Sequence, residues 1–413
     1  MTVTLLRRMS RVGATAASVV LAMYACGENI VAPAICPEYC PAAELVVIDS
    51  IMPGSVENDS SYSGHVQPHQ AKQMQIALDD TVVSNGVLRF EEFEEEIVLG
   101  SSGLSGLVVA VDSFRLELLL SRRSEASELT EIAVHRLPAG FDSTTTYADL
   151  EPYFGDTTLV ATLELPDTVI GGTVSAILPG DALPAVVEDS LAASVGLAYR
   201  SPQAGFADIV ASDSTSLASI LIRYAQVDSI GVDTVPGTDT VLVEFDTFLF
   251  SSSQAADVNT LTVGGSPSTR ALIRTNIPTQ IVDSSSVVRA TLILVPSEPV
   301  RGVAGDTLVI VVDGLSTDVG AKSPIIPLPS EVGGLGIVEV PAGWSDTVRI
   351  EVTHLLRAWR ASPSLPRALS LRAVPEGVSL SQARFRSSRS VVGVPSLHVS
   401  YVPPVILQSG GGQ

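Results

Sequence analysis

A pattern of strand, turn, loop and strand occurs twice in this chain of 413 residues, at positions 197–224 and 371–401. Each copy begins with a short apolar run, passes through a Pro- and Gly-containing turn and a Ser-rich loop, and ends in an alternating run that closes on Tyr. Similar apolar runs at 114–120 and 290–295 precede the two closing tyrosines at nearly equal spacing. Internal similarity of this length is typical of duplicated structural units. The repeat therefore predicts two tandem domains.

The rest of the chain has the pattern of β-strands. Runs such as 157–165, 240–245 and 347–352 alternate apolar and polar residues, and Gly, Pro, Asp and Asn separate such runs. A period of two residues is typical of strands with one buried face. One short helix is expected at 354–360, whose sequence is HLLRAWR. The sequence predicts an all-β fold of antiparallel β-sandwiches.

The two sandwiches are expected at 44–228 and 243–404, because each stretch is long enough to enclose a core. Residues 229–242 are predicted to be a linker that leads into the first strand of the second unit, since 231–238 are rich in Gly, Asp, Pro and Thr. Residues 405–413 contain three consecutive glycines and are predicted to be a disordered tail.

The N-terminus has the charge and hydropathy pattern of an export signal. Residues 1–11 contain three arginines and no acid, and residues 12–24 are small and apolar. The segment Met-Tyr-Ala-Cys at 23–26 resembles the lipobox of bacterial lipoproteins, in which the cysteine is acylated. We therefore expect a signal peptide at 1–25, a lipid on Cys26 and a flexible tether at 26–43. These features predict a protein of the cell envelope, anchored to the outer membrane or cell surface by its lipid, and plain secretion is the alternative.

The three cysteines of the chain all precede the first expected strand. If Cys26 carries a lipid, Cys36 and Cys40 remain as a pair. In an oxidising compartment they would close a small disulfide loop, and two free thiols in the tether are the alternative. No further metal ligands lie close to them in the sequence, so a zinc site is not expected.

The charge of the chain limits its partners. The formal net charge is −21, and such a surface repels phosphate backbones, which excludes nucleic acid as a partner. The acids are dispersed except in the run 91–96, which reads Glu-Glu-Phe-Glu-Glu-Glu. Carboxylate oxygens are calcium ligands, so calcium is the one cofactor that this run suggests. A solvated strand edge or loop is the other interpretation of the run.

Several short motifs occur in the order found in the DNRLRE domain and resemble the motifs of that family. In the C-terminal half these are Leu-Thr-Val-Gly at 261–264, Ala-Leu-Ile-Arg at 271–274, 290–294, Ile-Glu-Val-Thr at 350–353 with Trp359, and 395–401. In the N-terminal half they are Val-Leu-Arg-Phe at 87–90, 141–147 and 220–224. The resemblance covers about residues 44–404. It implies two tandem jelly-roll β-sandwiches of the kind found on bacterial surface and secreted proteins, some of which are carbohydrate-binding modules.

No catalytic or metal-binding residues are predicted. His65 and His69 are four residues apart, but Pro68 between them prevents the helix that would direct both toward one metal ion. His135 and His398 fall in strand patterns, and the chain has no G-x-S-x-G motif. An enzyme is therefore not expected, although a pocket that gathers residues from distant strands would make an envelope hydrolase.

Aromatic residues supply the candidates for ligand contact, because exposed aromatic rings stack on sugars. Trp344 follows a Pro-Ala-Gly turn and is expected to be exposed, whereas Trp359 is expected in the core. Tyr147 and Tyr153 complete the predicted contact set. The leading prediction is a non-catalytic envelope lipoprotein for surface display, adhesion or structural interaction with another envelope protein. The alternative is a module that binds an extracellular or cell-wall polysaccharide.

Overall fold

The strands of this protein pair in antiparallel sheets throughout the part of the chain that the structure describes, which confirms the predicted all-β fold. The computed structural model describes residues 46–79, 82–99, 103–125, 130–138, 140–183, 192–212, 218–228, 234–251, 259–320 and 325–404. The predicted signal peptide, the tether with Cys26, Cys36 and Cys40, and the tail at 405–413 lie outside these residues.

The strands of the N-terminal part are β1 Ile48–Met52, β2 Val56–Ser63, β3 Gln73–Leu78, β4 Val83–Phe90, β5 Glu96–Leu99, β6 Leu104–Arg123, β7 Thr130–Arg136, β8 Leu159–Leu165, β9 Gly172–Pro179, β10 Ser194–Arg200, β11 Gly205–Val210, β12 Ser219–Asp228 and β13 Val235–Phe250. Those of the C-terminal part are β14 Thr260–Gly264, β15 Thr269–Thr275, β16 Ser286–Leu294, β17 Thr307–Gly314, β18 Gly336–Pro341, β19 Val348–Glu351, β20 Ala368–Ala373, β21 Gln382–Arg386 and β22 Ser396–Val402.

Short helices connect some of the strands. They are α1 Tyr147–Leu150, α2 Ser330–Gly333 and α3 Thr353–Ala361, with single turns at Pro53–Ser55, Pro68–Gln70, Glu151–Tyr153, Asp156–Thr158 and Gln280–Ser284. The helix α3 confirms the helix expected at 354–360, and it buries Trp359 as predicted. None of the described helices is long and apolar enough to cross a membrane.

The largest sheet has eleven strands in the order β13-β12-β6-β11-β3-β4-β10-β7-β8, with β5 and β9 also paired to β6. Because β13 pairs with β4 as well as β12, six of these strands close into a ring. Alternation explains the core: Phe114, Leu116, Leu118 and Leu120 of β6 are buried, while the residues between them are more exposed. These side chains pack with apolar residues of the neighbouring strands in one cluster.

Two further sheets pack face to face as a sandwich. One has the order β1-β22-β16-β19, and the other has β18-β17-β20-β15-β14-β21 with β2 paired to β15. Both sheets contribute to a single apolar core that includes Leu292 and Leu397 from the first sheet, Ile310 and Phe385 from the second, and Trp359 from α3. Such interdigitation of two inner faces is typical of β-sandwiches.

Strand pairing crosses the predicted domain boundaries at both ends of the first unit. Ile48 of β1 lies opposite Tyr401 of β22, and β2 pairs with β15 along its length, so residues 48–63 complete the C-terminal sheets. Conversely, β13 pairs with β12 and β4, which adds residues 243–250 to the eleven-stranded sheet. From Val47 onward the chain forms one compact unit. The division at 229–242 itself stays a prediction.

The repeated pattern corresponds to three strands in each copy. Residues 197–224 contain most of β10, all of β11 and the start of β12, and residues 371–401 contain the end of β20, all of β21 and most of β22. In the first copy all three strands belong to one sheet, whereas in the second copy β22 belongs to the opposite sheet of the sandwich. The order of strands is therefore shared, and their placement in sheets is not.

Candidate interaction surface

The strand β6 extends beyond the neighbouring strand β9. Residues 113–120 of β6 pair with β9, and Leu104 to Leu107 pair with β5 instead. Between these parts, the pairing of β6 with β12 shifts twice, after Tyr224 and after Gln226. Irregularities of this kind bend a strand and increase its twist. We call the bent part the β5–β6 extension, which comprises residues 91–99, 104–112, 225–228 and 235–238.

One face of the β5–β6 extension is closed by a small apolar cluster. Ile97, Ala225 and Val227 are buried there, with Leu99, Val108 and Val111 packed against them. The strand β13 approaches this cluster through Gly237, where a Cβ atom would lie 2.6 Å from Val227 Cγ2 and 3.3 Å from Ile97 Cγ2. Glycine is therefore needed for this close approach.

The other side of the β5–β6 extension exposes aliphatic side chains. The exposed fractions are 62% for Val98, 53% for Leu107 and 50% for Val109. Leu104 at the end of the hairpin is 61% exposed, and so is Ile177 on the adjoining strand β9. Val98 and Leu107 face the same side of the hairpin, because their partners in the β5–β6 pairing, Ser105 and Glu96, alternate with the residues of the buried face. Scattered apolar residues are normal on protein surfaces, but neighbouring exposed aliphatic residues on one face are typical of an interaction site.

The predicted acidic run forms the base of the β5–β6 extension. Its five glutamates are exposed, whereas Phe93 between them is buried against Phe114, with ring centroids 5.5 Å apart. The last residue of the run, Glu96, begins β5 and lies opposite Leu107 in the β5–β6 pairing. Glu96 therefore borders the exposed side chain of Leu107.

A buried arginine holds this run in place. Arg223 on the inner face of β12 has a side chain that is only 1% exposed. Its Nε and Nη2 donate to the two carboxylate oxygens of Asp239 at 2.9 and 2.8 Å, and Nη2 also donates to the carbonyl of Glu94 at 2.7 Å. The guanidinium lies 4.9 Å from the centroid of the Phe93 ring. No prediction from the sequence named Arg223, although its place in an alternating run is typical of an inward-facing residue.

The predicted ligand residue Trp344 lies in the turn after β18, where it is 39% exposed. Its Nε1 donates to the carbonyl of Asp346 at 2.9 Å, and its own carbonyl accepts from the Val300 amide at 2.8 Å. Next to Val300 in the chain, Glu298 pairs with Arg301 at 3.0 Å, and Arg384 lies 3.4 Å from the same carboxylate. The backbone of Trp344 is therefore hydrogen-bonded to a residue that lies two positions after Glu298 in the chain.

The predicted ligand residues Tyr147 and Tyr153 lie in the helical segment that covers the ends of β7 and β10. Tyr147 begins α1 and is half-buried against a cluster that includes Phe141 and Leu150. Burial, and to a smaller degree Glu151, raises the pKa of Tyr147. Tyr153 is 37% exposed. The tyrosines thus belong to the eleven-stranded side of the molecule, and Trp344 belongs to the sandwich.

The histidines of the chain occupy different surroundings. His398 Nε2 lies 2.9 Å from Asp49 Oδ1 across the β1–β22 pairing, and the Ser400 hydroxyl donates to the same oxygen. In a nucleophilic triad the serine donates to the histidine instead, so this arrangement does not activate Ser400. Among the described residues, no group of three or more His, Cys, Asp or Glu has metal-binding geometry.

His135 of β7 is fully buried. Its Nδ1 lies 3.2 Å from Thr158 Oγ1, and its ring meets that of Phe154 edge-on at 5.5 Å. Burial is the main cause that lowers the pKa of His135, and Arg200 adds to the effect. The residue is therefore a neutral core histidine at neutral pH.

A polar cluster joins the eleven-stranded sheet to the sandwich. Arg122 at the end of β6 donates from Nε to Asp208 of β11 at 2.6 Å and from Nη2 to Asp306, just before β17, at 2.9 Å. Both carboxylates are fully buried, and the arginine side chain is 43% exposed. Burial raises the pKa of Asp208 to about 7, while Arg122 opposes the shift and Asp306 adds to it.

Hydroxyl and amide donors complete the cluster around Asp306. Its carboxylate accepts from the hydroxyls of Ser379 and Ser381, from the Thr307 amide at 2.9 Å, and from Gln75 Nε2 at 3.4 Å. Beside it, Ala77, Phe206 and Val303 form an apolar cluster with Leu380. The carboxylate of Asp306 is thus fully engaged, and no local sequence signal indicated this junction.

No protein-family model matches this chain, and no curated protein matches it. The similarity to the DNRLRE domain therefore stays a prediction from the motifs.

Proposed function

We propose that this chain is a non-catalytic envelope protein for adhesion or structural interaction, which binds a partner protein through the exposed side of the β5–β6 extension. One observation carries the proposal: Val98, Leu107 and Val109 remain at least half exposed on a bent, protruding part of the sheet. Covering such side chains removes apolar surface from water, which is the main favourable term in protein association. The all-β fold is compatible with a non-catalytic role.

The proposed location follows from the N-terminal sequence. Three arginines, an apolar stretch and Cys26 have the order of a lipoprotein signal. A lipid on Cys26 would anchor the protein to a membrane and leave the sheets outside it. Labelling with radioactive palmitate tests this part of the proposal, because Cys26→Ser abolishes incorporation if Cys26 carries the lipid. Incorporation that persists in the variant would contradict it.

Site-specific photo-crosslinking tests the proposed surface. A photoreactive amino acid is placed at Leu107 in the full chain, and a matched control carries it at Val391, which is 98% exposed in a loop of the sandwich. We expect one discrete adduct with an envelope protein from position 107 and none from position 391. The adduct should disappear when Val98 is also changed to Ser. Equal labelling from both positions, or none from Leu107, would contradict the proposal.

The second candidate function is binding of a polysaccharide at Trp344. It is favoured by the partly exposed indole of Trp344, whose carbonyl accepts from Val300 two residues after Glu298, because ligand sites combine aromatic side chains with a few polar or charged groups. Binding of the full chain to acidic and neutral polysaccharides, with and without calcium, distinguishes the two candidates. Saturable binding that Trp344→Ala abolishes would favour the glycan function, and absence of binding would leave the protein-binding function in first place.

A further inference from the structure

The side chains around the exposed aliphatic surface are charged with one sign. The β5–β6 extension, residues 91–99, 104–112, 225–228 and 235–238, contains no Lys or Arg. Its charged residues are all acids, namely Glu91, Glu92, Glu94, Glu95, Glu96, Asp112 and Asp228. The side chains of all seven acids are exposed to solvent. The β5–β6 extension therefore combines an apolar centre with an acidic rim.

Two of these acids accept hydrogen bonds from neutral side chains. Asp112 accepts from Gln226 Nε2 at 2.6 Å, and Glu96 accepts from the Ser105 hydroxyl. Both donors are neutral, so they orient the carboxylates without cancelling their charge. The nearest arginines on β6 and β12 are otherwise engaged, because Arg115 pairs with Glu117 at 3.0 Å and Arg223 is buried with Asp239.

From this arrangement we infer that the partner of the β5–β6 extension is a protein surface with an apolar centre and a rim of Lys or Arg. The inference rests on the proposed function and adds the chemistry of the partner. Opposite charges at the rim of an interface speed association and select the partner, while like charges across an interface oppose binding. A second copy of this chain would bring two acidic rims together. Self-association through this surface is therefore disfavoured.

The test uses short peptides of defined pattern as probes for the purified full chain. One peptide alternates Leu and Lys, the second alternates Leu and Glu, and the third alternates Ser and Lys. Binding is measured by fluorescence anisotropy at low and at physiological salt. We expect saturable binding of the Leu-Lys peptide, weaker at the higher salt, and much weaker binding of the other two peptides.

Variants of the aliphatic centre identify the surface. In the double variant Val98→Ser with Leu107→Ser, affinity for the Leu-Lys peptide should fall about tenfold or more, because two aliphatic contacts are lost. The matched control is Val391→Ser with Val392→Ser, which changes two exposed valines of the sandwich and should leave affinity unchanged. Circular dichroism confirms that both double variants are folded.

Charge reversal provides a test that does not depend on the stability of the serine variants. Glu96→Lys with Asp228→Lys should weaken binding of the Leu-Lys peptide and strengthen that of the Leu-Glu peptide. Equal binding of the Ser-Lys and Leu-Lys peptides would overturn the inference, since it would reflect charge alone. The inference would also be overturned if sedimentation detected a dimer of the parent protein that is absent in the double variant Val98→Ser with Leu107→Ser.

The peptide and crosslinking experiments separate the two proposals. If Leu107 gives a discrete adduct but the Leu-Lys peptide does not bind, only the inference that the partner has a basic rim is overturned. Absence of both overturns the proposed function as well. Peptide binding that is lost in the Val98→Ser with Leu107→Ser variant, together with an adduct to a protein that carries a basic surface, supports both.

Discussion

The Nε atom of Arg122 lies 2.6 Å from Oδ2 of Asp208, whose side chain has no exposure to solvent. The other carboxylate oxygen of Asp208 has no hydrogen-bond partner among the described residues. An ion pair with one oxygen unsatisfied compensates only part of the cost of burying the charge. The protonated carboxyl is therefore favoured at higher pH than usual, which agrees with the pKa of about 7.

This relationship predicts that acid stabilises the protein over part of the pH range. The folded-state pKa of Asp208 is raised above the ordinary value of 3.8, so the folded state retains its proton where the unfolded state has lost it. The stability that this proton contributes is present at the lower pH and is lost as pH rises from about 4 to about 7. A shift from 3.8 to about 7 corresponds to at most about 4 kcal/mol from Asp208.

Asp208→Asn tests the prediction because the amide is permanently neutral. Urea unfolding between pH 4.5 and 8 should show a flatter dependence of the free energy of unfolding on pH in Asp208→Asn than in the parent. Asp346→Asn, at an exposed position, is the control and should keep the parental slope. An unchanged slope in Asp208→Asn would show that another group titrates in this range.

Arg223→Lys is expected to destabilise the protein by about 2–4 kcal/mol, because lysine cannot donate to both oxygens of Asp239 and to the Glu94 carbonyl at once. The matched control is Arg289→Lys, whose ion pair with Glu351 is 70% and 49% exposed and should change stability by less than about 0.5 kcal/mol. Chemical denaturation measures both. Equal effects of the two substitutions would contradict the role given to Arg223.

Gly237→Ala should destabilise the protein by about 1–3 kcal/mol, since the new methyl group would overlap Val227. Val227→Ala removes the overlapping atoms, so the double variant should lose less stability than the two single variants together. Gly155→Ala is the control, because a Cβ atom there meets no atom within 4 Å. Additive losses at 237 and 227 would rule out the close approach between β12 and β13.

The two tryptophans should differ in solvent access. With Trp359→Phe, the remaining Trp344 should be quenched readily by acrylamide, whereas with Trp344→Phe the buried Trp359 should be protected. Trp359→Ala should also cost about 3–5 kcal/mol of stability and Trp344→Ala less than about 1 kcal/mol. Similar quenching of both residues would contradict the exposures of 39% and 1%.

Local periodicity accounts for what the sequence predicted correctly. The all-β fold, α3 and the burial of Trp359 all follow from patterns within a few residues, because alternation decides which side chains face a core. The exposed glutamates of 91–96 follow from the cost of burying charge.

The features that the sequence did not predict depend on pairing between distant parts of the chain. Nothing near β1 or β2 in the sequence indicates that their partners are β22 and β15, which depend on the whole fold. The bends of β6 arise from pairing shifts against β12, which is distant from β6 in the sequence. Arg122, Asp208 and Asp306 likewise come from separate parts of the chain and meet only in the folded state.

The pairing of β1 with β22 also determines the order in which the sandwich is completed. During synthesis or export from the N-terminus, β1 emerges before the other strands. Its hydrogen-bonding partners at Leu397–Tyr401 follow almost 350 residues later. Until then β1 has no ladder to join, and the same holds for β2 until β15 arrives. The strand closest to the predicted lipid therefore cannot complete its native pairing until nearly the entire polypeptide has been delivered.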